Sequence, residues 1–295
     1  MRFSERMGIV PVRRAIQIDS LDSETRNALW NVLVAFLDQA KYVRENNEYA
    51  TTSIVYREIW TDLYHMASDA VPNQGAFYAS DDNDCYYNFF RNKVLSGKWF
   101  ECLDFVDFIA TCPNCDNWLR RSYDHIARRN LLSVPSPEAF NQVFRKYMVG
   151  YRFVNNILTP ISNEMEVVSV EGALKMSCES VQEQLTKALR FLSDRNRPEY
   201  AKSVDCSISA VEAQCRILLI DPNPTLGKAL KLLKDKGIPL HGSLKAGFEK
   251  LYGFTSDADG IRHAGLNPSN VDVDLAKFML VACSAFVNYL RSKGV

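Results

Sequence analysis

The second half of the chain consists of amphipathic segments separated by residues that interrupt helices. Apolar residues recur there every three or four positions, which is the spacing of one face of an α-helix. Proline cannot continue a helix, and glycine favours the position just after a helix end. Such breaks stand at 195–198, 221–224, Gly237 and Gly253. The expected helices cover about 171–192, a segment up to Leu219, 225–236, a segment up to Gly253, and a final segment near the end of the sequence.

The final segment shows the helical pattern most clearly. Its apolar residues span four turns and are Leu275, Phe278, Met279, Ala282, Ala285, Phe286, Tyr289 and Leu290. A stripe of this width buries one side of a helix against other helices. The second half is therefore predicted to be a four-to-five-helix bundle.

The first half is also predicted to be mainly helical. A helix is expected to start near Asp22, with Asp22 or Ser23 as its cap, and a second helix to hold Ile54, Ile59, Leu63 and Met66. Three aromatic-rich helices are expected over Tyr86–Leu95, Trp99–Ala110 and Asn117–Leu131, and a short β-hairpin over Tyr151–Leu158. The predicted fold class is mainly α: a helical N-terminal domain with a short hairpin, 1–165, then the helical bundle, 166–295.

Charge and cysteine content limit the function classes. The 295 residues include 35 basic and 35 acidic side chains, so the formal net charge is zero, unlike that of a strongly basic nucleic-acid coat protein. Eight irregularly spaced cysteines favour a cytoplasmic protein with reduced thiols. Acidic residues follow the N-terminal arginines, and no uncharged apolar stretch reaches 18 residues. We therefore expect neither a secretory signal nor a membrane span.

One short motif resembles half of a metal or redox site. Cys112 and Cys115 form a lone C-x-x-C. A structural zinc site needs two further Cys or His ligands, and a thioredoxin-like site needs a strand–helix–strand context. Neither is evident in the sequence, so we predict no metal and no small-molecule cofactor.

A basic stripe lies within 117–131. On a helix, Arg121, His125 and Arg128 share one face, which is an arrangement that binds phosphates of RNA. The alternative is a solvated helix face, which the ordinary surface pair of Arg120 and Asp124 favours.

The connection before the last helix contains the strongest candidate catalytic residues of the sequence. Arg262 and His263 place a permanent cation beside an imidazole that titrates near neutral pH. Cleavage of RNA by its own 2′-hydroxyl needs a proton carrier and a group that stabilises the added negative charge. The alternative is a helix-start pair bonded to carbonyls. Asp257 and Asp259 nearby resemble a calcium loop, but the bidentate Glu that such a loop needs is missing.

The chain resembles a known family over nearly its whole length. The stretches that carry the C-terminal resemblance are Leu189–Arg195, Ser207–Glu212, Leu226–Leu230, Leu251–Ala264 and Ala276–Leu290. They resemble the HEPN domain of bacterial abortive-infection proteins. The stretches Phe3–Arg6, Arg26–Asn31 and Gly150–Phe153 resemble an AbiJ-type N-terminal domain that is paired with such HEPN domains.

The resemblance implies a metal-independent ribonuclease that acts in phage defence as a homodimer. It implies that Arg262 and His263 are catalytic and that Asp257, Asp259 and Glu212 support them. In active HEPN enzymes the Arg and His are four to six residues apart, whereas here they are adjacent. Adjacent residues of a helical turn diverge by about 100°, so a dimer would supply one residue from each chain.

Two other functions remain open at this stage. One is a non-catalytic HEPN module that binds RNA or a protein. The other is a structural dimerisation protein, which the zero net charge favours because phosphate binding usually brings a basic surplus.

Overall fold

The protein is mainly α-helical with one short β-hairpin, as predicted. The computed structural model describes residues 3–7, 16–43, 52–72, 82–112, 134–194, 199–220, 226–235, 237–238, 240–256 and 271–293. The chain divides into two compact units, Met1–Asn156 and Ile157–Val295. The domain boundary predicted between 165 and 166 lies in the first turn of a helix of the second unit, and the domain assignment stays a prediction.

The described part of the first unit is built from helices of unequal length and one strand. They are α1 (Phe3–Arg6), α2 (Ser23–Ala40), α3 (Ile54–Glu58), a π-helix (Ile59–Leu63), α4 (Asp82–Ser96), α5 (Trp99–Thr111), α6 (Pro137–Lys146) and β1 (Arg152–Val154). Helix α2 starts as predicted, because the Asp22 side chain accepts a hydrogen bond from the Thr25 backbone N–H at 2.8 Å. This bond satisfies one of the amides that a helix start leaves unpaired.

Aromatic side chains from α3, the π-helix and α4 form the core of this unit. Tyr56 and Phe90 meet edge to face at 5.5 Å, and Trp60 and Tyr86 do so at 5.7 Å. The buried Tyr56 hydroxyl donates to the Leu37 carbonyl at 2.8 Å, so it is not left unpaired. The predicted continuation of the second helix to Met66 is wrong. The helix widens into the π-helix over Ile59–Leu63 and ends there, and Met66 is exposed.

Gln17 attaches the N-terminal arm to this unit. Its backbone pairs with Met148 and Gly150, at 2.8 and 2.7 Å, and its side-chain amide donates to Thr25 and Tyr147. The arm passes so close to Gly150 that a β-carbon there would lie 3.2 Å from the Gln17 carbonyl oxygen. Position 150 therefore favours glycine.

The predicted hairpin is confirmed. Strands β1 and β2 (Ile157–Thr159) pair across Asn155 and Asn156, which both have positive φ, at 50° and 59°. A two-residue hairpin turn that matches the strand twist requires positive φ at both positions, and asparagine tolerates it better than most residues.

The second unit continues with helices that pack around one central helix. They are α7 (Glu164–Met176), α8 (Glu179–Ser193), α9 (Tyr200–Leu219), α10 (Leu226–Asp235), α11 (Gly242–Ser256) and α12 (Val273–Lys293). Helix α9 packs against α8, α10, α11 and α12. Two buried serines of α9 donate hydrogen bonds from their hydroxyls to backbone carbonyls. Ser203 donates to the Ala188 carbonyl, and Ser207 donates to the Ser203 carbonyl.

Two predicted helix limits in this unit are wrong. The single helix expected over 171–192 is two helices, α7 and α8, because the backbone is extended at Ser177 and Cys178. Helix α11 continues past Gly253 to Ser256. The predicted end near Gly237 is confirmed, and this glycine has a φ of +77°.

Helix α12 faces the core differently from the prediction. Of the eight predicted stripe residues, Met279, Phe286 and Leu290 are buried, whereas the other five are not. The core face is shifted toward residues that include Leu280 and Cys283. By length and composition alone α12 is apolar enough to cross a membrane, and 44% of that window is buried inside the protein.

We predict that Asn141→Ala destabilises the chain by about 2 kcal/mol. The buried Asn141 side chain donates to the Phe153 carbonyl at 3.0 Å and accepts from the Phe153 amide at 2.8 Å, so its loss leaves both backbone groups unpaired. Urea unfolding followed by circular dichroism measures this change. The matched control is Asn31→Ala, on the exposed face of α2, where a change within about 0.5 kcal/mol is expected. Equal effects of the two substitutions would contradict the assigned role.

Candidate functional site

Of the predicted site residues, the structure describes Glu212. The other catalytic and supporting candidates, Arg262, His263, Asp257 and Asp259, lie outside the described residues. The predicted RNA-binding residues Arg121, His125 and Arg128 also lie outside them. Their roles therefore stay predictions, and the geometry of the site is built from Glu212 and its surroundings.

Glu212 is a largely buried carboxylate on the central helix of the second unit. It is 8% exposed, and its Oε2 lies 3.4 Å from Nη2 of Arg216, one turn further along α9. The Arg216 side chain extends outward and is 42% exposed. A carboxylate is seldom buried without a partner, because leaving water costs several kcal/mol. The contact with Arg216 offsets part of this cost and keeps the carboxylate in place.

The position of Glu212 relates it to the predicted catalytic segment. Helix α9 packs against both α11 and α12, and these two helices flank the sequence that contains Arg262 and His263. An ionised carboxylate accepts hydrogen bonds and stabilises a nearby imidazolium or guanidinium. Glu212 therefore has the chemistry of a residue that orients a cation or an imidazole.

Positive charge is concentrated in one part of this unit. The sequence 226–250 contains six lysines and two acidic residues, a net charge of +4 with His241 neutral, in a chain whose net charge is zero. On α10 and α11, Lys228, Lys231 and Lys250 are exposed. Exposed lysines of this kind attract phosphate groups in a salt-dependent way.

The cysteines of this unit that lie in the core are chemically protected. Burial raises the pKa of Cys215 to about 12, and the Glu212 carboxylate adds to this shift. Burial alone raises the pKa of Cys283 to about 12. Both thiols are therefore small apolar core groups and are poor nucleophiles.

Other metal-ligating candidates are not assembled in the described part of the chain. There, no group of three or more His, Cys, Asp or Glu side chains has an arrangement that could hold a metal ion. Cys112 is partly exposed, while Cys115 lies outside the described residues.

We predict that alkylation of the native protein at pH 8 modifies Cys178 and spares Cys215 and Cys283. Cys178 is exposed, whereas a thiol with a pKa of about 12 is ionised in only ~1 molecule in 10⁴ at this pH. Peptide mass spectrometry after iodoacetamide treatment gives the modified fraction at each position. In urea all three should react. Equal native reactivity of Cys215 and Cys178 would show that α9 does not protect its thiol.

Sequence reasoning did not single out Asp107, on α5 of the first unit. Burial, with a smaller contribution from the neighbouring Asp104, raises the pKa of this carboxyl to about 6. The two residues are three apart on one helix, where side chains meet. The available signal was the presence of Glu101, Asp104 and Asp107 on a mostly apolar helix, but only the packing shows that Asp107 is partly buried.

We predict that Asp107→Asn stabilises the protein at pH 7.5, by about 1–3 kcal/mol, and has a smaller effect near pH 4. The pKa of Asp107 is higher in the folded state than in the unfolded state, so folding opposes its ionisation. The loss of folding stability that Asp107 causes therefore grows as pH rises through about 6. Urea unfolding at several pH values measures the difference. Asp69→Asn, at an exposed position, is the control and should show no such trend. A pH-independent effect of Asp107→Asn would rule out this explanation.

Comparison with known proteins identifies the first part of the chain. The family model described as AbiJ N-terminal domain 4 matches residues 1–176. No curated protein and no solved structure matches the chain. The matched region covers more than half of the sequence and includes the whole first unit. The chain therefore belongs to the AbiJ N-terminal domain 4 family and, with it, to the abortive-infection proteins.

Proposed function

We propose that this protein is an abortive-infection effector that acts in the cytoplasm as a metal-independent HEPN ribonuclease. The AbiJ-type region marks the chain as a member of an abortive-infection family. The HEPN assignment of the second unit rests on the sequence resemblance, and the helical architecture of that unit agrees with it. The proposed substrate is RNA, and the proposed assembly is a pair of identical chains without a small-molecule cofactor.

The observation that carries the proposal is the buried carboxylate of Glu212. It lies on the helix that packs against both helices flanking Arg262 and His263. Functional sites often contain a buried charge whose cost is repaid by the chemistry that it supports. Glu212 would orient the reacting groups, together with Asp257 and Asp259.

In the proposed reaction the RNA supplies its own nucleophile. The 2′-oxygen forms a new bond to the adjacent phosphorus, and the bond from phosphorus to the 5′-oxygen breaks. His263 carries the protons, first from the 2′-hydroxyl and then to the leaving 5′-oxygen. Arg262 stabilises the negative charge that builds up on the phosphate oxygens. The products are a 2′,3′-cyclic phosphate and a 5′-hydroxyl.

Exposed cations support RNA as the substrate. The net charge of +4 over 226–250 comes directly before the segment with Arg262 and His263 in sequence. The basic residues Arg121, His125 and Arg128 of the first unit would add phosphate contacts of their own. Binding through phosphates is sequence-independent and weakens as salt increases.

We predict that the protein cleaves bacterial RNA in the presence of a chelator and that His263→Ala lowers the rate by at least about 100-fold. Positioned proton transfer typically contributes 10²–10⁴-fold to a rate. Arg262→Ala should be similarly defective. Sequencing of the RNA ends, after incubation of purified protein with total RNA and in cells before and after phage infection, gives both the rate and the type of end.

The matched control is His241→Ala, which removes an exposed histidine of the same unit and should leave the rate unchanged. Glu212→Gln should shift the pH profile of cleavage while the circular dichroism spectrum stays the same. Undiminished cleavage by His263→Ala would show that the site is wrongly assigned. Salt-sensitive RNA retention without new ends, both in vitro and in infected cells, would replace the ribonuclease with an RNA-binding module. Absence of both cleavage and retention would favour a protein-binding or structural dimerisation role.

A further inference from the structure

The outer face of α12 is an apolar stripe that is not buried. Its residues alternate three and four apart and are Leu275, Phe278, Ala282, Ala285, Tyr289 and Ser292. Phe278 is 55% exposed, and none of the six is buried. The opposite face of the helix packs against α7, α8 and α9, with Met279, Cys283 and Val287 fully or almost fully buried. Helix α12 therefore has an inner face that is buried and an outer face that is only partly covered, with Phe278, Ala285 and Ser292 exposed.

None of the six stripe residues is charged, although Lys277 and Arg291 lie between stripe positions and Lys293 Nζ lies 5.5 Å from the centre of the Tyr289 ring. From Phe278 to Leu290 the sequence has no Asp, Glu, Lys or Arg. An exposed helix face in water normally carries charged or polar residues. Alternating spacing of three and four is the pattern with which one helix packs against another along a seam. The pattern therefore indicates a second helix as the occupant.

The sizes of the four central stripe residues are symmetric about the middle of the helix. Ala282 and Ala285 lie equally far from the midpoint between Cys283 and Ser284, and so do Phe278 and Tyr289. A copy of α12 running in the opposite direction would place alanine opposite alanine and one aromatic ring opposite the other. Small central residues allow two helix axes to approach to about 8 Å, and the aromatic residues close the ends.

The charges at the two ends select the direction of the second helix. Asp272 precedes α12 and Asp274 lies in its first turn, whereas Arg291 and Lys293 lie in its last turn. An antiparallel copy brings each acidic end alongside a basic end, and the two helix dipoles oppose each other favourably. A parallel copy would bring like charges together at both ends.

A lipid surface fits these features less well. Helices that lie in a membrane interface carry lysines and arginines along the face opposite the apolar one. In α12 the opposite face is buried in the bundle, and the cations are confined to the ends apart from Lys277, which lies 4.0 Å from Asp274.

We propose that α12 pairs in an antiparallel manner with α12 of a second copy of this chain, through the face from Leu275 to Ser292. The contact is isologous, because each copy contributes the same residues about a two-fold axis. This pairing would be the contact surface of the two-chain assembly proposed above. The proposal that α12 pairs in this way does not depend on whether the protein cleaves RNA. Its tests contain no RNA, so the two proposals can fail separately.

The first test measures mass by light scattering after gel filtration over a range of concentrations. The wild-type protein should have about twice the chain mass of 33.6 kDa. Phe278→Glu should raise the dissociation constant at least tenfold, because it places a charge in the seam. Ala285→Phe should have a similar effect, because a large central side chain prevents close approach. Leu232→Glu, at an exposed leucine on α10, is the matched control and should leave the mass unchanged.

The second test measures direction by cross-linking in a Cys178→Ser background. In an antiparallel pair, Phe278→Cys of one copy lies opposite Tyr289→Cys of the other, so a mixture of the two proteins should form a mixed disulfide. Two copies of Phe278→Cys would be about 16 Å apart along the axis and should cross-link poorly. Peptide mass spectrometry identifies the linked residues.

Three results would overturn the proposal. The first is a wild-type monomer at about 100 µM, and the second is a dimer that Phe278→Glu and Ala285→Phe leave intact while their circular dichroism matches wild type. The third is efficient self-cross-linking of Phe278→Cys, which would show a parallel pair. A monomer that floats with phosphatidylglycerol vesicles, and floats better with Ala285→Phe, would show that a membrane covers this face.

Discussion

The second unit depends on the burial of α9, because four other helices of this unit pack against it. Its apolar residues fill the space between these helices. The hydroxyls of its two buried serines donate hydrogen bonds to backbone carbonyls, so they are not left unpaired. This arrangement sets the environment of Glu212 and Cys215 on the same helix. Burial raises the pKa of the thiol, while the contact with Arg216 holds the carboxylate. A structural helix thereby supplies the one predicted site residue that the structure describes.

The first unit satisfies its buried polar groups in a different way. Arg26 donates to the Leu21 and Val94 carbonyls, and Arg152 donates to the Val149 and Tyr151 carbonyls. Arg26 and Gln17 thereby join segments far apart in sequence through backbone atoms, whereas Arg152 fixes the local backbone next to β1. The motifs Arg26–Asn31 and Gly150–Phe153, which carry the resemblance to AbiJ-type domains, therefore include residues that hold the fold together. The structural role of these residues is enough to explain why the two motifs are present, and no catalytic role is needed.

The proposed pairing of α12 has a consequence for the proposed active site. An antiparallel pair keeps the two starts of α12 about 30 Å apart, since the helix has 21 residues at 1.5 Å each. The ten residues from His263 to Val273 span at most about 35 Å. Connections of this length can bridge the distance between the helix starts, so pairing through α12 neither requires nor prevents the joining of Arg262 of one chain with His263 of the other. The mass and cross-linking experiments address the first, and the cleavage experiments address the second.

The limits of sequence reasoning are visible in particular residues. Spacing and caps predict elements that depend on local geometry: the start of α2 at Asp22, the turn at Asn155 and Asn156, and the end of α10 near Gly237. The same reasoning misses the break at Ser177, because no proline or glycine marks it. It also assigns Phe278 to the core, because periodicity gives the width of an apolar stripe and not the side from which neighbours approach.

The sequence by itself determined that this chain is helical, that its first part belongs to an abortive-infection family, and that Arg262 and His263 are the residues to test. These conclusions follow from local patterns and motif identity, which do not require knowledge of the packing. Only the tertiary structure decided that Glu212 is buried, that Asp107 resists ionisation, and that α12 keeps an uncharged face outside the bundle. Each of these depends on which side chains from distant parts of the sequence exclude water, and that is a property of the folded chain.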